Sequence, residues 1–349
     1  MQIILLPFSW LYGLITDCRN YLYECGFWKI NTFKIPIINV GNLTVGGTGK
    51  TPHVEYLIRL LKDKYATVTL SRGYGRKTKG FIMASASASA QSIGDEPFQF
   101  YQKYGNDITV TVGENRVEAL QKIFSQKPNT DLVILDDAFQ HRPVKPSLNL
   151  LLMDYNRPIN EDFAFPAGRL RERRQGAKRA DVVIVTKCPD VLSEENQKAI
   201  KGNLESYLKE NTPFFFTKVL YGKPKNCRSE PDKFKFEKVL LVSGIANPQP
   251  FEEYAKKQFD VSEHLIFKDH HDFVEQDLFT IVSAMESTQS IILMTEKDMV
   301  KFKPFLNHEL LRNISLYYLP IEIGFLEENV RNDFDRLIFS QFDKSFFNT

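Results

Sequence analysis

Residues 35–61 read IPIINVGNLTVGGTGKTPHVEYLIRLL, and this stretch decides the fold. The apolar run at residues 35–40 predicts a buried strand, and a glycine-rich loop follows it directly. The apolar residues after the loop recur at helical spacing, at Val54, Leu57, Ile58 and Leu61. Pro52 falls in the first turn of the predicted helix, where proline is tolerated. The pattern therefore predicts a strand, a tight loop and a helix in succession.

The loop itself, TVGGTGKT at residues 44–51, resembles a phosphate-binding loop. Glycines let successive backbone N–H groups approach phosphate oxygens, and a helix N-terminus adds partial positive charge. Lys50 is placed to reach the β- and γ-phosphates, and the Thr51 hydroxyl to bind Mg²⁺. The predicted nucleotide-binding residues are Thr44, Val45, Gly46, Gly47, Thr48, Gly49, Lys50 and Thr51. Thr44 stands where the strict pattern has glycine, and the alternative is a strand–helix turn that binds nothing.

Further apolar runs of strand length alternate with helical or loop segments, at residues 67–70, 132–135, 148–153 and 182–185. Such alternation predicts right-handed crossovers and a mostly parallel sheet. The pattern breaks near residues 212–235 and restarts with KVLLVSG, as expected for a second, smaller α/β domain. We predict an N-terminal apolar helix over residues 1–30, a P-loop domain over 31–215 and the smaller domain over 216–349.

Composition narrows the class of protein. The length of 349 residues and the 43% hydrophobic content are ordinary for a globular chain of about two domains. A net charge of +2 argues against a nucleic-acid partner. The four cysteines form no C-x-x-C pair, which fits a reducing cytosol, and no obligate protein partner is evident.

The N-terminal segment has no charged side chain in its first 16 residues. It lacks the basic start and small-residue cleavage site of a secretory signal, and Asp17 and Arg19 come too early for a spanning helix of about 20 apolar residues. Two alternatives remain, a buried helix and a helix lying in the membrane interface. The second would be anchored by aromatic residues, namely Trp10, Tyr12, Tyr21 and Trp28.

Two pairs of acids are candidates for the chemistry. Asp136 and Asp137 end an apolar strand, where a P-loop domain places the carboxylate that holds Mg²⁺. The alternative is a pair of solvated turn residues. Asp95 and Glu96 follow Gly94 and favour a helix N-terminus with Asp95 as its cap, unless the fold brings them to the phosphate loop.

Three further segments have weaker signals. Residues 267–272 (FKDHHD) lack the spacing of metal ligands, so they suggest either a histidine that assists proton transfer or a surface turn. Thr186, Lys187 and Asp190 resemble the base-reading motif of GTPases, but the aspartate is one residue late. Residues 169–179 contain six basic residues, which suggest either a solvated face or a patch for phosphates and anionic lipid.

Eight motifs in order resemble the tetraacyldisaccharide 4'-kinase family of lipid A biosynthesis over nearly the whole chain. They are GNLTVGGTGKTP (41–52), SRGYGR (71–76), GDEP (94–97), DDAFQHR (136–142), PAGRLRE (166–172), GIANP (244–248), DHH (269–271) and TEKD (295–298). The resemblance implies a P-loop α/β domain joined to a smaller α/β domain, with the site between them. It implies transfer of the ATP γ-phosphate to the 4'-hydroxyl of an acylated glucosamine disaccharide 1-phosphate. It also implies a peripheral enzyme on the cytoplasmic face of the bacterial inner membrane, which favours the interfacial helix.

The resemblance also implies roles for individual residues. Lys50 and Thr51 would serve the phosphates and Mg²⁺, and Asp136 and Glu96 would help hold the metal. Asp95, paired with His270, would take the proton from the sugar hydroxyl. Asp137, Arg72 and Arg171 would lie near the phosphates or the acceptor.

Two other functions stay open on the sequence. One is a different P-loop enzyme, such as a small-molecule kinase or an ATP-dependent ligase. The other is a membrane nucleotide switch that transfers nothing.

Overall fold

The computed structural model describes residues 2–228, 238–288 and 291–345. The chain divides into two compact units, Met1–Val219 with Ile323–Thr349 and Leu220–Glu322. The sequence assigned residues 323–349 to the smaller domain, and this part of the prediction is wrong. The described residues of this segment return to the larger unit because apolar side chains among them, such as Phe334, pack into its core. Residues 229–237, 289–290 and 346–349 of the predicted smaller domain lie outside the described residues.

The first unit is an α/β structure. Its elements up to residue 221 are α1 (Gln2–Glu24), β1 (Ile37–Asn42), α2 (Lys50–Leu61), β2 (Thr67–Ser71), β3 (Ile82–Met83), α3 (Ala90–Ile93), α4 (Asp95–Tyr104), β4 (Thr109–Val112), α5 (Arg116–Gln126), β5 (Leu132–Asp136), β6 (Leu148–Asp154), β7 (Val182–Thr186), α6 (Glu194–Leu204) and β8 (Phe214–Tyr221). The predicted phosphate loop lies between β1 and α2. Each of the apolar runs singled out in the sequence is a strand.

The second unit is a smaller α/β structure. Its elements are β9 (Lys225–Asn226), β10 (Lys238–Ser243), α7 (Gln249–Gln258), β11 (Asp260–Ile266), α8 (Glu275–Thr288), β12 (Ile291–Thr295), α9 (Glu296–Phe302) and β13 (Leu316–Leu319). Its sheet has the order β11-β10-β12-β13-β9, and only the β13–β9 pair is antiparallel. The chain then forms β14 (Ile321–Phe325) and α10 (Glu328–Ser345).

The large sheet has the order β14-β8-β7-β6-β1-β5-β2-β4-β3, so β1 is its central strand. β1 pairs in parallel with β5 on one side and β6 on the other. All six residues of β1 are buried, as expected for a strand covered on both faces. Because the carboxyl ends of parallel strands share one edge, the loops after β1, β5 and β6 meet beside one another.

Both faces of β1 contribute to a core. Ile38 and Val40 pack with α2 and with residues of α10, among them Phe334 and Ile338. Ile37 faces the other way and packs with α5. α10 therefore completes the core on the same face as the helix that follows the phosphate loop.

Helix α1 lies on this unit with its polar face inward. The Ser9 hydroxyl accepts a hydrogen bond from the Ala167 N–H at 2.7 Å, and the Tyr12 hydroxyl donates to the Arg171 carbonyl at 2.9 Å. Gly13 is buried against Arg173, where a Cβ would come within 2.5 Å of the guanidinium nitrogen Nε. The apolar face points outward, with 73% of Ile4, 61% of Phe8 and 60% of Ile15 exposed. The alternative of a buried apolar helix is therefore wrong for these side chains.

Candidate active site

The loop between β1 and α2 has the conformation of an anion-binding turn. Gly46 and Gly49 have φ angles of 113° and 81°, in the left-handed region that favours glycine. Gly49 is the N-cap of α2, and it has no side-chain oxygen with which to cap the helix. The first N–H groups of α2 therefore project from the helix end next to Lys50, where an anion is stabilised.

A neighbouring segment fixes the start of this loop. The Val45 N–H donates to the Arg169 carbonyl at 2.8 Å, and the Arg171 N–H donates to the Leu43 carbonyl at 2.7 Å. Thr44 also forms an isolated antiparallel bridge with Leu170. The segment 169–171 thus runs antiparallel to the loop and brings part of the basic patch to the phosphate site.

Asp136 ends β5 beside the loop, in register with Val40 of β1. Its side chain is buried, and its Oδ2 accepts a hydrogen bond from the Ser71 hydroxyl at 3.1 Å. Burial, together with the charges of Asp137 and Glu96, raises the pKa of Asp136 to about 7, although Lys50 acts in the opposite direction. Because the charge of Glu96 acts on Asp136, the carboxylates of α4 and β5 lie close to one another.

Asp137 lies between two cations. Its Oδ1 is 2.8 Å from Arg171 Nη1 and 3.6 Å from Lys50 Nζ. Burial alone would raise the pKa of Asp137, but Lys50 and Arg171 outweigh it and lower the pKa. The backbone of Asp137 is left-handed, with φ 50°, and its N–H donates to the Val40 carbonyl at 2.9 Å. The predicted residues Lys50, Asp137 and Arg171 are therefore brought together.

Asp95 and Glu96 form the first turn of α4. The N-cap of this helix is Gly94, with φ 92°, and not Asp95, so the interpretation of Asp95 as the cap is wrong. The reason is steric, because a Cβ at position 94 would come within 2.9 Å of the Tyr74 carbonyl oxygen and within 3.1 Å of Gly73. Only glycine allows this close packing of α4 on the SRGYGR segment. Asp95 is the first residue of the helix, directly after the N-cap.

The carboxylates fit a divalent cation shared with a nucleotide. The charges of Asp137 and Glu96 raise the cost of ionising the buried Asp136, and a cation would relieve that repulsion. Within the described ranges, no group of three or more His, Cys, Asp or Glu residues is arranged to hold a metal. Mg²⁺ in kinase sites is usually held by one or two carboxylates together with the substrate phosphates, so the residues present fit this mode of binding.

Arg72 follows β2 and is exposed. Its charge acts on Arg116 and His141, and Arg116 in turn interacts with Asp136. Burial, followed by the charges of Arg116, Arg19 and Arg72, lowers the pKa of His141 to about 4. Arg72 therefore belongs to the same charged neighbourhood as the strand-end carboxylates.

His270 lies in the second unit, in a turn after β11. Its backbone is left-handed, with φ 57°, and its N–H donates to the carbonyl of Gly244, which follows β10. Its Nε2 is 3.3 Å from Lys297 Nζ and 4.0 Å from Asp269 Oδ1. β11 and β12 lie on opposite sides of β10, so His270 stands at the point where the strand order of this sheet reverses, a usual place for ligand contact.

Several residues beneath the phosphate loop were not expected from the sequence. Thr186, Lys187 and His53 each donate a hydrogen bond to a loop carbonyl, and Asn42 Nδ2 donates to the Thr48 hydroxyl at 2.7 Å. The Thr-Lys pair at 186–187 was visible as a partial motif, but its aspartate, Asp190, is exposed and pairs with Lys218. The partner of the lysine is instead Asp154, at the end of the adjacent strand β6.

A phosphate loop after the central strand, with carboxylates ending the next strand, defines a P-loop enzyme that binds a nucleoside triphosphate. Comparison with known proteins narrows this class. The chain belongs to the tetraacyldisaccharide-1-P 4'-kinase family, whose family model matches residues 1–338.

Similar proteins extend over nearly the same length. The chain is 46% identical over 337 residues to the tetraacyldisaccharide 4'-kinase of Flavobacterium johnsoniae, which covers 95% of this chain and 94% of that protein. It is 44% identical to the protein of the same name from Flavobacterium psychrophilum, over 98% of this chain and 97% of that protein. Among solved structures, the "apo" form of LpxK from Aquifex aeolicus in complex with ATP matches with a TM-score of 0.75 and 30% identity, over 98% of this chain and 99% of that chain.

Proposed function

We propose that this protein transfers the γ-phosphoryl group of ATP to the 4'-hydroxyl of a tetraacylated glucosamine disaccharide 1-phosphate at a membrane surface. The observation that carries the proposal is the position of an apolar groove beside the phosphate loop. Leu170 lines the groove, and the next residue, Arg171, contacts Asp137. The apolar groove and the charged residues of the phosphate site are thus adjacent along the chain.

The groove has a volume of about 590 Å³ and lies against α1. Leu6 and Trp10 of α1 line one side, and Phe163, Leu170 and Tyr207 line another. Arg173 and Arg174 also line it, and their guanidinium groups lie 5.8 Å and 5.7 Å from the ring centres of Trp10 and Phe163. Apolar walls with cations among them suit an amphiphile with a charged head and acyl chains better than a water-soluble acceptor.

Phosphoryl transfer needs positioning and charge neutralisation more than a strong nucleophile. In the proposed reaction the 4'-oxygen forms a bond to the γ-phosphorus, the bond from that phosphorus to the bridging oxygen breaks, and ADP leaves. Lys50 and the N–H groups at the start of α2 neutralise the phosphates, and Arg171 lies 2.8 Å from Asp137 on the acceptor side. Mg²⁺, held by Thr51, Asp136 and Glu96, would supply further charge neutralisation at the phosphates.

The hydroxyl proton needs an acceptor, and we propose Asp95. It stands in the first turn of α4, one residue before Glu96, whose charge acts on Asp136. The family resemblance assigns His270 to the same proton transfer, and this role stays a prediction. Asp95→Asn and His270→Asn should each lower kcat by at least about a hundredfold while the Kd for ATP changes little.

We also propose that α1 rests in the membrane interface on the cytoplasmic face of the inner membrane, where ATP is available. Among the described residues, no helix combines the length and apolar character needed to cross a bilayer. Leu11 and Leu14 add to the outward face formed by Ile4, Phe8 and Ile15, and they are 53% and 42% exposed. A helix with its polar face on the protein and its apolar face outward suits the boundary between lipid headgroups and acyl chains.

The experiment that tests the function is a kinase assay with γ-labelled ATP, Mg²⁺ and the tetraacyl disaccharide 1-phosphate in detergent micelles. The label is expected in the lipid fraction, and Lys50→Ala should abolish this transfer. Release of labelled inorganic phosphate without labelled lipid would contradict the proposal and favour a nucleotide switch. Equal transfer to a deacylated, water-soluble disaccharide would favour a soluble small-molecule kinase.

A further inference from the structure

Three successive carbonyl groups of the phosphate loop are held from beneath by side chains. Lys187 Nζ donates to the Gly47 carbonyl, and the Thr186 hydroxyl donates to the Thr48 carbonyl at 3.0 Å. His53 Nδ1 lies 2.7 Å from the Gly49 carbonyl. Thr186 and Lys187 come from the end of β7, some 140 residues from the loop, so this arrangement is made by the tertiary structure.

Peptide geometry gives these contacts a consequence for the loop. In a trans peptide the carbonyl and the following N–H point in opposite directions. Bonds to the carbonyls of Thr48 and Gly49 therefore direct the N–H groups of Gly49 and Lys50 to the other side of the loop. That side is where successive N–H groups form a concave site for phosphate oxygens. The N–H that follows the Gly47 carbonyl, that of Thr48, instead donates to the Gly46 carbonyl at 3.1 Å and closes the turn of the loop.

Lys187 differs from the other two donors in its backbone conformation. Its backbone is left-handed, with φ 56°, a conformation that is unfavourable for a residue with a Cβ. Its Nζ lies 2.6 Å from Asp154 Oδ2, and the two side chains are 27% and 17% exposed. A conformation of this kind persists where several contacts hold it together, and such residues concentrate at functional sites.

The ion pair between Lys187 and Asp154 does not explain why Lys187 also donates to the Gly47 carbonyl. A partly exposed Lys–Asp pair contributes little to stability and needs no strained backbone. The base-reading role of the GTPase motif is also unsupported, because Asp190 is exposed and pairs with Lys218. What remains particular to Lys187 is its contact with the Gly47 carbonyl.

We infer that Lys187, held by Asp154, is a positioning residue that presets the phosphate loop for the polyphosphate chain of the nucleotide. The inference rests on the proposed nucleotide binding and adds a residue outside the loop to it. It predicts an effect on binding of the phosphates and no effect that depends on the base. Lys187 acts through the loop backbone and transfers no proton.

The test compares Lys187→Met with wild-type protein in calorimetric titrations with Mg·ATP and with Mg·tripolyphosphate, which has phosphates but no base. Loss of one hydrogen bond from a charged donor should weaken both ligands by about tenfold or more, and by similar factors. Lys187→Arg should keep much of the wild-type affinity, because arginine also carries a positive charge and N–H donors. Asp154→Asn should show a smaller loss of the same kind.

Lys209→Met is the matched control. Lys209 Nζ pairs with Asp181 Oδ1 at 2.7 Å beside the start of the same strand, so its removal breaks a similar ion pair away from the loop. It should bind both ligands like the wild type. If Lys187→Met proves unfolded by circular dichroism, the comparison between Lys187→Arg and Asp154→Asn still decides the inference, because both keep a side chain of similar size.

Four results would overturn the inference. Wild-type affinity of Lys187→Met for both ligands would show that the contact with the Gly47 carbonyl does not contribute to binding. A loss confined to Mg·ATP would make Lys187 a contact for the base. If Lys209→Met weakened binding to the same degree, general destabilisation of β7 would explain the loss in Lys187→Met. Failure of the wild type itself to bind either ligand would overturn the proposed function as well.

Discussion

Single residues at the phosphate site act through charge. Lys50 is 3.6 Å from Asp137 and is the side chain that the loop presents to the nucleotide phosphates. Replacing it leaves the β- and γ-phosphate charge uncompensated and removes a cation that lowers the pKa of Asp137. We expect Lys50→Met to reduce kcat by at least about a hundredfold, measured by initial rates at saturating lipid acceptor.

A control for this prediction is Lys62→Met, which removes a cation from the distal end of the same helix α2. Lys62 pairs with Asp63 and Asp107 and has no contact with the phosphate loop in the described structure. It should keep the wild-type kcat within about twofold. A comparable loss in both variants would attribute the effect to α2 as a whole and not to Lys50.

Buried histidines make the free energy of unfolding depend on pH. Burial lowers the pKa of His53 from 6.5 to about 4, so the native protein holds this ring neutral. Between these pH values the unfolded chain binds more protons than the native one. The free energy of unfolding therefore falls as the pH drops from about 6.5 toward 4, by up to about 1.4 kcal/mol per pH unit for one histidine.

His53→Asn should remove one such contribution and leave that of His141, whose pKa is also lowered to about 4 by burial. Urea unfolding at about pH 7 and about pH 5 should show a difference between the two pH values that is smaller than in the wild type by roughly 1–2 kcal/mol. His308→Asn, which removes a partly exposed ring, is the control. An unchanged pH dependence in His53→Asn would contradict the neutral, buried state of His53.

Among the helices, α1 is unusual because its polar face contacts the protein and its apolar face points outward, whereas a surface helix of a globular protein normally buries its apolar face. Asn20 Nδ2 donates to Glu172 Oε2 at 2.8 Å, and Arg19 donates to the Gln140 carbonyl at 2.8 Å, so polar contacts hold the helix on the protein. The outward apolar side chains stay largely exposed on this face. Their burial in lipid would contribute about 1.5–3 kcal/mol for each large side chain.

The triple variant Phe8→Ser, Leu11→Ser and Ile15→Ser should therefore lose more than tenfold in affinity for anionic phospholipid vesicles, measured by co-sedimentation. Its Kd for Mg·ATP should stay unchanged, because the polar contacts of α1 remain. Cys18→Ser, an outward substitution of a small side chain on the same helix, is the control. Vesicle binding equal to that of the wild type would contradict the interfacial role of α1.

At the scale of the whole molecule, the chain leaves the larger unit after β8 and returns to it with α10. Phe334 of α10 is 1% exposed and packs at 5.0 Å from the ring of Phe215 and 5.2 Å from that of Phe325. The core that supports β1 and α2 is therefore completed by residues from the C-terminal end of the chain. Stability of the phosphate site depends on a segment almost 300 residues away from it.

Phe334→Ala should lower the free energy of unfolding of the larger unit by about 3–5 kcal/mol, from the loss of buried apolar surface and the cavity left behind. Urea unfolding followed by loss of Mg·ATP binding measures this unit. Phe279→Ala, at a side chain that is 47% exposed in the smaller unit, should change it little. Equal effects of the two substitutions would contradict the assignment of α10 to the core beneath the phosphate loop.

Features that depend on neighbours along the chain could be predicted from the sequence. The strand, glycine loop and helix at residues 35–61 are each encoded by local pattern, and the acids that end β5 follow an apolar run of strand length. Family motifs in order then gave the class of acceptor. These predictions hold because a strand and its following loop fix the position of residues only a few places apart.

The tertiary structure alone decided what lies beneath and around the loop. Lys187 and Thr186 meet two loop carbonyls because strands far apart in sequence are neighbours in the sheet, and no local pattern records that order. The same holds for the return of residues 323–345 to the first unit and for the choice of which face of α1 points outward. Apolar periodicity marks the two faces of a helix, but only the packing partners decide which face is covered.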